Sequence, residues 1–277
     1  MNPFLLDGPS LISFSGGRTS AFMLHEIVQA HGGALPDHVR VAFANTGKER
    51  EETLRFVHEC GSRWGVRIHW IEWRDANPCF DTVGFNSASR SGEPFAALIV
   101  KKQRLPNWKE RWCTEFLKVR PLFALAESWG WTSGEYTEII GLRYDEGMRV
   151  MKMLARNDND GRRCFAPLAK AKVTKPQVME FWSRQPFDLN LRPWEGNCDL
   201  CFMKGRGIRK SIIRDNPACA GWWSDQEGIE RGNGRGWFDK RDRVADLVSE
   251  VERSPTLFDD GEWGDHDAEC GLLCAAE

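Results

Sequence analysis

The stretch from Leu11 to Val28 constrains this chain more than any other. Leu11-Ile12-Ser13-Phe14 is a short apolar run, Ser15-Gly16-Gly17-Arg18-Thr19-Ser20 is a turn of small residues, and Ala21-Phe22-Met23-Leu24-His25-Glu26-Ile27-Val28 carries apolar residues at helical spacing. The pattern predicts strand, loop, helix. Such a loop leaves backbone N–H groups at the positive end of a helix, where an anion is held well. Gly16 and Gly17 matter because a side chain would keep the backbone away from that anion. Ser15, Thr19 and Ser20 add hydroxyl donors. The Lys and the spacing of a Walker loop are missing. A tight glycine turn that binds nothing is the plain alternative.

Further along, Val39 to Ala44 predicts a second strand running into the turn Asn45-Thr46-Gly47. Glu52 to Val57 opens a helix with acidic residues in its first turn, as the helix dipole favours. Val66 to Trp73 alternates as a third strand, and Thr137 to Leu142 predicts a fourth that delivers Arg143 and then Arg149. Strands alternating with helices imply an α/β fold: a Rossmann-like parallel sheet with helices on both faces. Ligands of such sheets sit at the carboxyl ends of the strands, where the glycine loop and the Asn45-Thr46-Gly47 turn both lie.

The remaining segments read less regularly. Residues 75–111 show little pattern, and Lys101, Lys102, Arg104, Lys109 and Arg111 form a basic run interleaved with Trp108 and Trp112. The run reads as a solvated face or as a groove in which single-strand bases stack beside positive charge. Cys113 leads a helix to about Trp129. Asn157-Asp158-Asn159-Asp160-Gly161 reads as a turn. Lys172 to Trp182 suits a helix with Thr174 as N-cap and Pro176 in the first turn. Gly228 to Gly236 reads as a flexible connector, and Arg241 to Arg253 as one more helix. Two domains are expected: residues 1–193 around the glycine loop, and a small irregular cysteine-bearing region at 194–277.

Composition excludes some function classes. The formal net charge of −2 gives no whole-molecule attraction to nucleic acid. The N-terminus lacks a basic n-region, and no apolar stretch approaches the ~20 residues that span a bilayer. A cytoplasmic protein with no membrane partner is expected. In a reducing compartment, nine cysteines point to metal or redox chemistry rather than a disulfide framework. Cys198-Asp199-Leu200-Cys201 presents two thiols from one turn. No second Cys-x-x-Cys pair completes a zinc ribbon, so an iron–sulfur cluster, a zinc site, a redox dithiol and plain burial stay open.

Taken in order, these blocks resemble one family. The series is Ser13-Phe14-Ser15-Gly16-Gly17, Thr46-Gly47 with Glu52-Thr53, Cys113 with Lys118-Val119-Arg120-Pro121-Leu122, Gly141-Leu142-Arg143 with Arg149, Pro167-Leu168, Cys198-x-x-Cys201 and Glu269-Cys270-Gly271-Leu272. It resembles the PAPS reductase family of the adenine nucleotide α-hydrolase, or PP-loop, superfamily. The resemblance implies that Ser13, Ser15, Gly16, Gly17, Arg18, Thr19 and Ser20 hold nucleotide phosphates, and that Thr46 and Gly47 line the pocket. It implies that Arg143 and Arg149 neutralise phosphate or sulfate oxygens, and that Cys113, Cys198 and Cys201 bind a 4Fe–4S cluster. Cys270 would be the nucleophile that attacks the sulfur of PAPS or APS, with a thiol donor such as thioredoxin completing the reduction to sulfite.

The departures are specific. Trp112-Cys113 replaces an upstream cysteine pair, so a fourth cluster ligand is missing unless Cys270 supplies it. Leu273 replaces the histidine that ends the Glu-Cys-Gly-Leu motif. The double glycine followed by Ser20 looks more like an ATP pyrophosphatase, although Thr19 stands where the Mg²⁺-binding Asp is usual. The alternative is therefore an ATP-dependent sulfur transferase that adenylates and thiolates nucleic acid, with Mg²⁺ accompanying the ATP. A third reading is a nucleotide- and cluster-binding module without catalysis.

Overall fold

The computed structural model describes residues 2–160, 162–196, 198–232 and 234–253. The chain begins β1 (Ser10–Ser13), α1 (Arg18–Ala30), β2 (Val39–Asn45), α2 (Glu51–Trp64), β3 (Ile68–Trp73), β4 (Phe80–Val83) and α3 (Glu93–Lys102). A helical rod follows: α4 (Trp112–Thr114) passes through a π-helical stretch (Glu115–Val119) into α5 (Arg120–Ser128). Then come β5 (Thr137–Ile140), α6 (Gly147–Asp160), β6 (Arg163–Phe165), α7 (Pro167–Lys170) and α8 (Lys175–Ser183). The last described elements are α9 (Arg206–Asp215), α10 (Cys219–Gly228), the hairpin strands β7 (Glu230–Arg231) and β8 (Gly234–Arg235), and α11 (Val244–Arg253).

One six-stranded sheet, ordered β4-β3-β2-β1-β5-β6, forms the centre. All its pairings are parallel except β3 with β4. Ser13 pairs with Ala42 on one side and Ile140 on the other, so β1 and β5 finish together while β2 runs on to Asn45. Side chains alternate between faces at the strand period of two. Ile12, Val41, Phe43 and Trp70 pack with Met23, Leu24, Phe56 and Trp182 from α1, α2 and α8. Leu11, Ala42, Ala44 and Ile71 pack on the other face with Leu122, Leu125 and Ala126 of α5. Both faces are covered, which is why β2 reads as a continuous apolar run.

A separate apolar cluster joins the C-terminal region to the edge of the sheet. Trp73, Phe95, Leu98 and Leu117 pack with Leu200, Ile212, Trp223, Phe238 and Leu247. This packing brings the Cys198–Cys201 turn against the turn that follows β2, where Glu49 forms an isolated antiparallel bridge with Cys198.

The α/β sheet with flanking helices agrees with the sequence pattern, and several local expectations are corrected. Residues 75–111 contain β4 and α3. Backbone of the Asn157–Asp160 stretch continues α6 instead of turning, because β6 follows at once: the Asn157 side chain bonds both backbone groups of Cys164 at 2.8 Å. The connector expected at Gly228–Gly236 carries the β7–β8 hairpin. Thr174 and Gln177 form the capping box that starts α8, at the N-cap expected. Among the described residues no helix is long and apolar enough to cross a membrane.

Candidate functional site

The glycine loop sits where β1 hands over to α1. Gly16 has a φ of +78°, and a Cβ there would lie 2.7 Å from Thr53 Cγ2 and 3.0 Å from Val57 Cγ2. Only glycine fits, so α2 presses directly on the loop. Gly17 is the N-cap of α1, and no side chain caps that first turn. Its amides are thus left to an anion or to water. Ser15 Oγ and Ser20 Oγ lie 2.9 Å apart, and Ser20 Oγ donates to Gly17 O at 3.0 Å. Ser13 shares the face of Leu11 and borders a small void with Val119 and Phe123, away from the loop amides. Arg18 turns aside as well: its guanidinium forms a two-point ion pair with Asp188 at 2.7 and 2.5 Å. Burial opposes the Asp188 charge, but the Arg18 bonds hold the carboxyl below its usual range.

Arg143 comes to the loop from the end of β5. A Cβ on Gly141 would approach Ser20 Cα at 3.1 Å, so this glycine lets the two backbones close up. Arg143 is 1% exposed and donates from Nη1 to Thr19 Oγ1 at 2.9 Å. Asp145 (3.0 Å) and Glu146 (3.6 Å) balance its charge, and Glu146 also pairs with Arg149. Both arginines expected to meet phosphate are therefore already ion-paired.

The turn after β2 forms the other wall. Thr46 N and Oγ1 both donate to Glu49 Oε2 at 2.8 Å. Gly47, with φ +77°, passes so close to Gly92 that a Cβ would reach its Cα at 3.1 Å. Asn45 donates to Glu72 Oε1 at 2.6 Å and to Ser89 O at 2.8 Å. Lys48 is 6% exposed and its Nζ lies 2.8 Å from Asp199 Oδ2. Asp199 also accepts from Trp223 Nε1 at 2.7 Å, and its backbone N–H donates to Lys48 O at 2.7 Å. A buried ion pair thus clamps the Cys-x-x-Cys turn to the end of β2.

Cys113, Cys198 and Cys201 border one cavity, together with Thr46, Arg111 and Lys118. The cavity holds about 20 Å³, room for about one water. Cys198 Sγ lies 3.7 Å from Thr46 Oγ1, which joins the thiols to the turn after β2. None of the three is in a disulfide. Burial, then the nearby Glu49 carboxylate, pushes the Cys198 thiol far up, and Lys118 opposes this. Lys118 Nζ stands 3.5 Å from Glu49 Oε1. Among the described residues, no group of three His, Cys, Asp or Glu closes on a single metal ion. The three thiols surround a space rather than meet at a point. Unbridged thiols are the donor type an iron–sulfur cluster takes, and the space they line here has room for about one water. Cys270 and Cys274 lie outside the described residues.

Several site residues escape the sequence. Lys48, Glu49 and Lys204 lie outside the motifs, and the pairing of Lys118 with Glu49 and of Asp199 with Lys48 is not written in theirs. Lys204 Nζ, for example, is bound to Gly196 O at 2.9 Å and Cys198 O at 2.5 Å, which holds the cysteine turn in shape. The one available signal was a Lys-Glu pair directly after Thr46-Gly47. In the basic run, Lys101 pairs with Asp75 and Arg104 with Glu110, while Trp112 is buried.

Comparison with known proteins gives relatives by sequence and distant structural likenesses. No protein-family model matches the chain. The chain is 30% identical over 231 residues to the uncharacterized nin region protein ORF290 of Escherichia phage lambda, covering 80% of this chain and 72% of that protein. It is 25% identical over 240 residues to an uncharacterized protein of Methanocaldococcus jannaschii, covering 84% of this chain and 45% of the relative, so it spans less than half of that protein. Among solved structures, the PAPS reductase from Candida auris, a phosphate complex, aligns with a TM-score of 0.42 at 15% identity over 66% of this chain and 79% of that one. The U34-tRNA thiolase NcsA from Methanococcus maripaludis, with its 4Fe–4S cluster, aligns with a TM-score of 0.39 at 14% identity over 98% and 82%.

Proposed function

The chain belongs to the family of the phage lambda nin region protein ORF290, and for this member we propose an ATP-dependent sulfur transferase that activates an acceptor by adenylation. The observation that supports the reading is the 3.7 Å approach of Cys198 Sγ to Thr46 Oγ1, because it sets the thiol cavity against the turn after β2. That strand pairs with β1, which leads into the glycine loop, where no side chain caps α1. The loop amides, with the Ser15 and Ser20 hydroxyls, would hold the β- and γ-phosphates of ATP. An acceptor oxygen would attack the α-phosphorus, the bond to the β-phosphate oxygen would break, and pyrophosphate would leave. Sulfur from an inorganic sulfide donor would then form a carbon–sulfur bond at the activated carbon, expelling AMP with the oxygen. Arg143, fixed on Thr19, would hold the loop's hydroxyl face in place.

Cys113, Cys198 and Cys201 would hold an iron–sulfur cluster, which when bound supplies an iron with one coordination position left for sulfide. The ion pairing of Arg143 and Arg149 with Asp145 and Glu146 favours this reading over sulfonucleotide reduction, because it leaves little free positive charge there for a sulfate group. The test is product analysis on anaerobically purified protein with matched ATP and PAPS reactions. AMP and pyrophosphate from ATP support sulfur transfer. Sulfite from PAPS with no ATP cleavage supports the reductase instead.

A further inference from the structure

A second cavity lies outside the thiol site, between the loop after α3 and the segment after β8. It has a volume of about 340 Å³ and is walled by the indoles of Trp108 and Trp237 with Lys109, Lys240 and Arg241. That volume is in the range of small-ligand sites. Trp108 is 56% exposed, an unusual cost for an indole. Lys109 Nζ stands 5.2 Å from the Trp108 ring centre, and Arg243 Cζ backs the Trp237 ring at 3.8 Å. The one carboxylate on the wall, Asp239, is held by Arg209 at 3.2 Å and by Arg241 at 3.4 Å. Nearby acids are also engaged: Glu110 by Arg104, and Asp242 by Arg206 and Arg209. The groove thus offers two aromatic faces and an excess of positive charge.

We infer that this groove holds a base of a single-stranded nucleic acid, stacked on Trp108 and Trp237 with its flanking phosphates on Lys109, Lys240 and Arg241. Every base has a π-face and every linkage an anion, so both halves of the groove are matched by this one polymer. The placement connects the groove to the reaction. Five residues lead from Trp108 to Cys113, a chain reach of at most about 18 Å, and Arg111 on that path borders the thiol cavity. A strand anchored at the tryptophans can extend its next nucleotides to the thiols. The inference deepens the sulfur-transfer reading by naming the acceptor class, and it rests on that reading only for its purpose.

The test is binding of labelled 20-nucleotide oligo(dT) and oligo(U) to the full chain without ATP, at 50 and 200 mM salt. The expected result is saturable binding that weakens with salt, and a loss of about 5- to 100-fold on Trp108→Ala, the range for one stacked base. Lys109→Gln with Lys240→Gln should flatten the salt dependence. Preference for DNA or RNA between the two oligomers names the strand. The inference is overturned if neither oligomer binds, if Trp108→Ala binds like the parent, or if polyglutamate competes as well as the oligomers, which marks an acid-binding protein surface. Because no nucleotide is present, these outcomes are read independently of ATP cleavage.

Discussion

Thr46 and Cys198 are 152 residues apart in the chain, and their side chains meet at 3.7 Å. Thr46 follows β2, the strand beside β1, while Cys198 opens the Cys-x-x-Cys turn. Glu49 fixes the first by accepting from its N–H and hydroxyl, and the Glu49–Cys198 bridge fixes the second. The contact follows from the way the C-terminal helices pack on Phe95 and Leu117. Under the proposed function, the glycine loop, as phosphate cradle, and the thiols are two halves of one site.

Gly16→Ala should disable that cradle. The new methyl would meet Thr53 and Val57 at 3.0 Å or less, and the backbone sits at φ +78°. Left-handed strain in a non-glycine residue costs about 1–3 kcal/mol, and the contact with α2 adds to it. Gly33→Ala is the control, since its φ is +96° but nothing lies within 4 Å. Urea unfolding should show a larger loss for Gly16→Ala than for Gly33→Ala, with nucleotide binding lost only in the former. Equal losses would mean that α2 does not press on the loop.

Asp199→Ala should be among the most destabilising single changes near the thiols. It strips Lys48, 6% exposed, of its counter-ion and leaves the Trp223 indole N–H without its acceptor. Breaking a buried pair from one side costs about 3–5 kcal/mol. Asp199→Asn should recover part of this by still accepting from Trp223. The comparison by thermal unfolding checks the assignment, and an Asp199→Ala variant as stable as the parent would refute it.

Alkaline pH should weaken the fold. Burial pushes the thiols of Cys60, Cys198 and Cys219 above their ordinary 9.0, Cys219 to about 12. When unfolded these thiols ionise near 9, whereas when folded they keep their protons. Their contribution is therefore whole below about pH 9 and declines as pH rises from there toward 12. Urea midpoints at pH 8 and pH 10 should fall in that order. Glu49→Gln, which removes the carboxylate that disfavours the Cys198 thiolate, should raise the iodoacetamide rate of Cys198 at fixed pH. Lys118→Ala should lower it.

Much of this was legible in the sequence where one segment carries its own pattern. The glycine loop declares itself through Ser15, Gly16 and Gly17, and the central strands through short apolar runs such as Val41-Ala42-Phe43-Ala44. β4 did not, because Phe80-Asp81-Thr82-Val83 is a short edge strand with Asp81 and Thr82 exposed. The end of α6 did not, because Asn-Asp-Asn-Asp has turn composition, and the bonds from the Asn157 side chain to the Cys164 backbone are not visible along the chain. Cys198 and Cys201 were visible by spacing. The Lys48–Asp199 and Glu49–Lys118 pairs were not, since neither partner marks the other along the chain.

The claim that the cradle and the thiols form one site is tested most directly by nucleotide protection of the cysteines. Anaerobic protein is treated with iodoacetamide with and without saturating ATP, and the modification of Cys113, Cys198, Cys201 and the distant Cys164 is followed by mass spectrometry. ATP should slow modification of the three site cysteines severalfold and leave Cys164 unchanged, with the protection absent in Gly16→Ala. If ATP binds to saturation while the three rates stay as they were, the loop and the thiols are separate sites and the proposed chemistry fails.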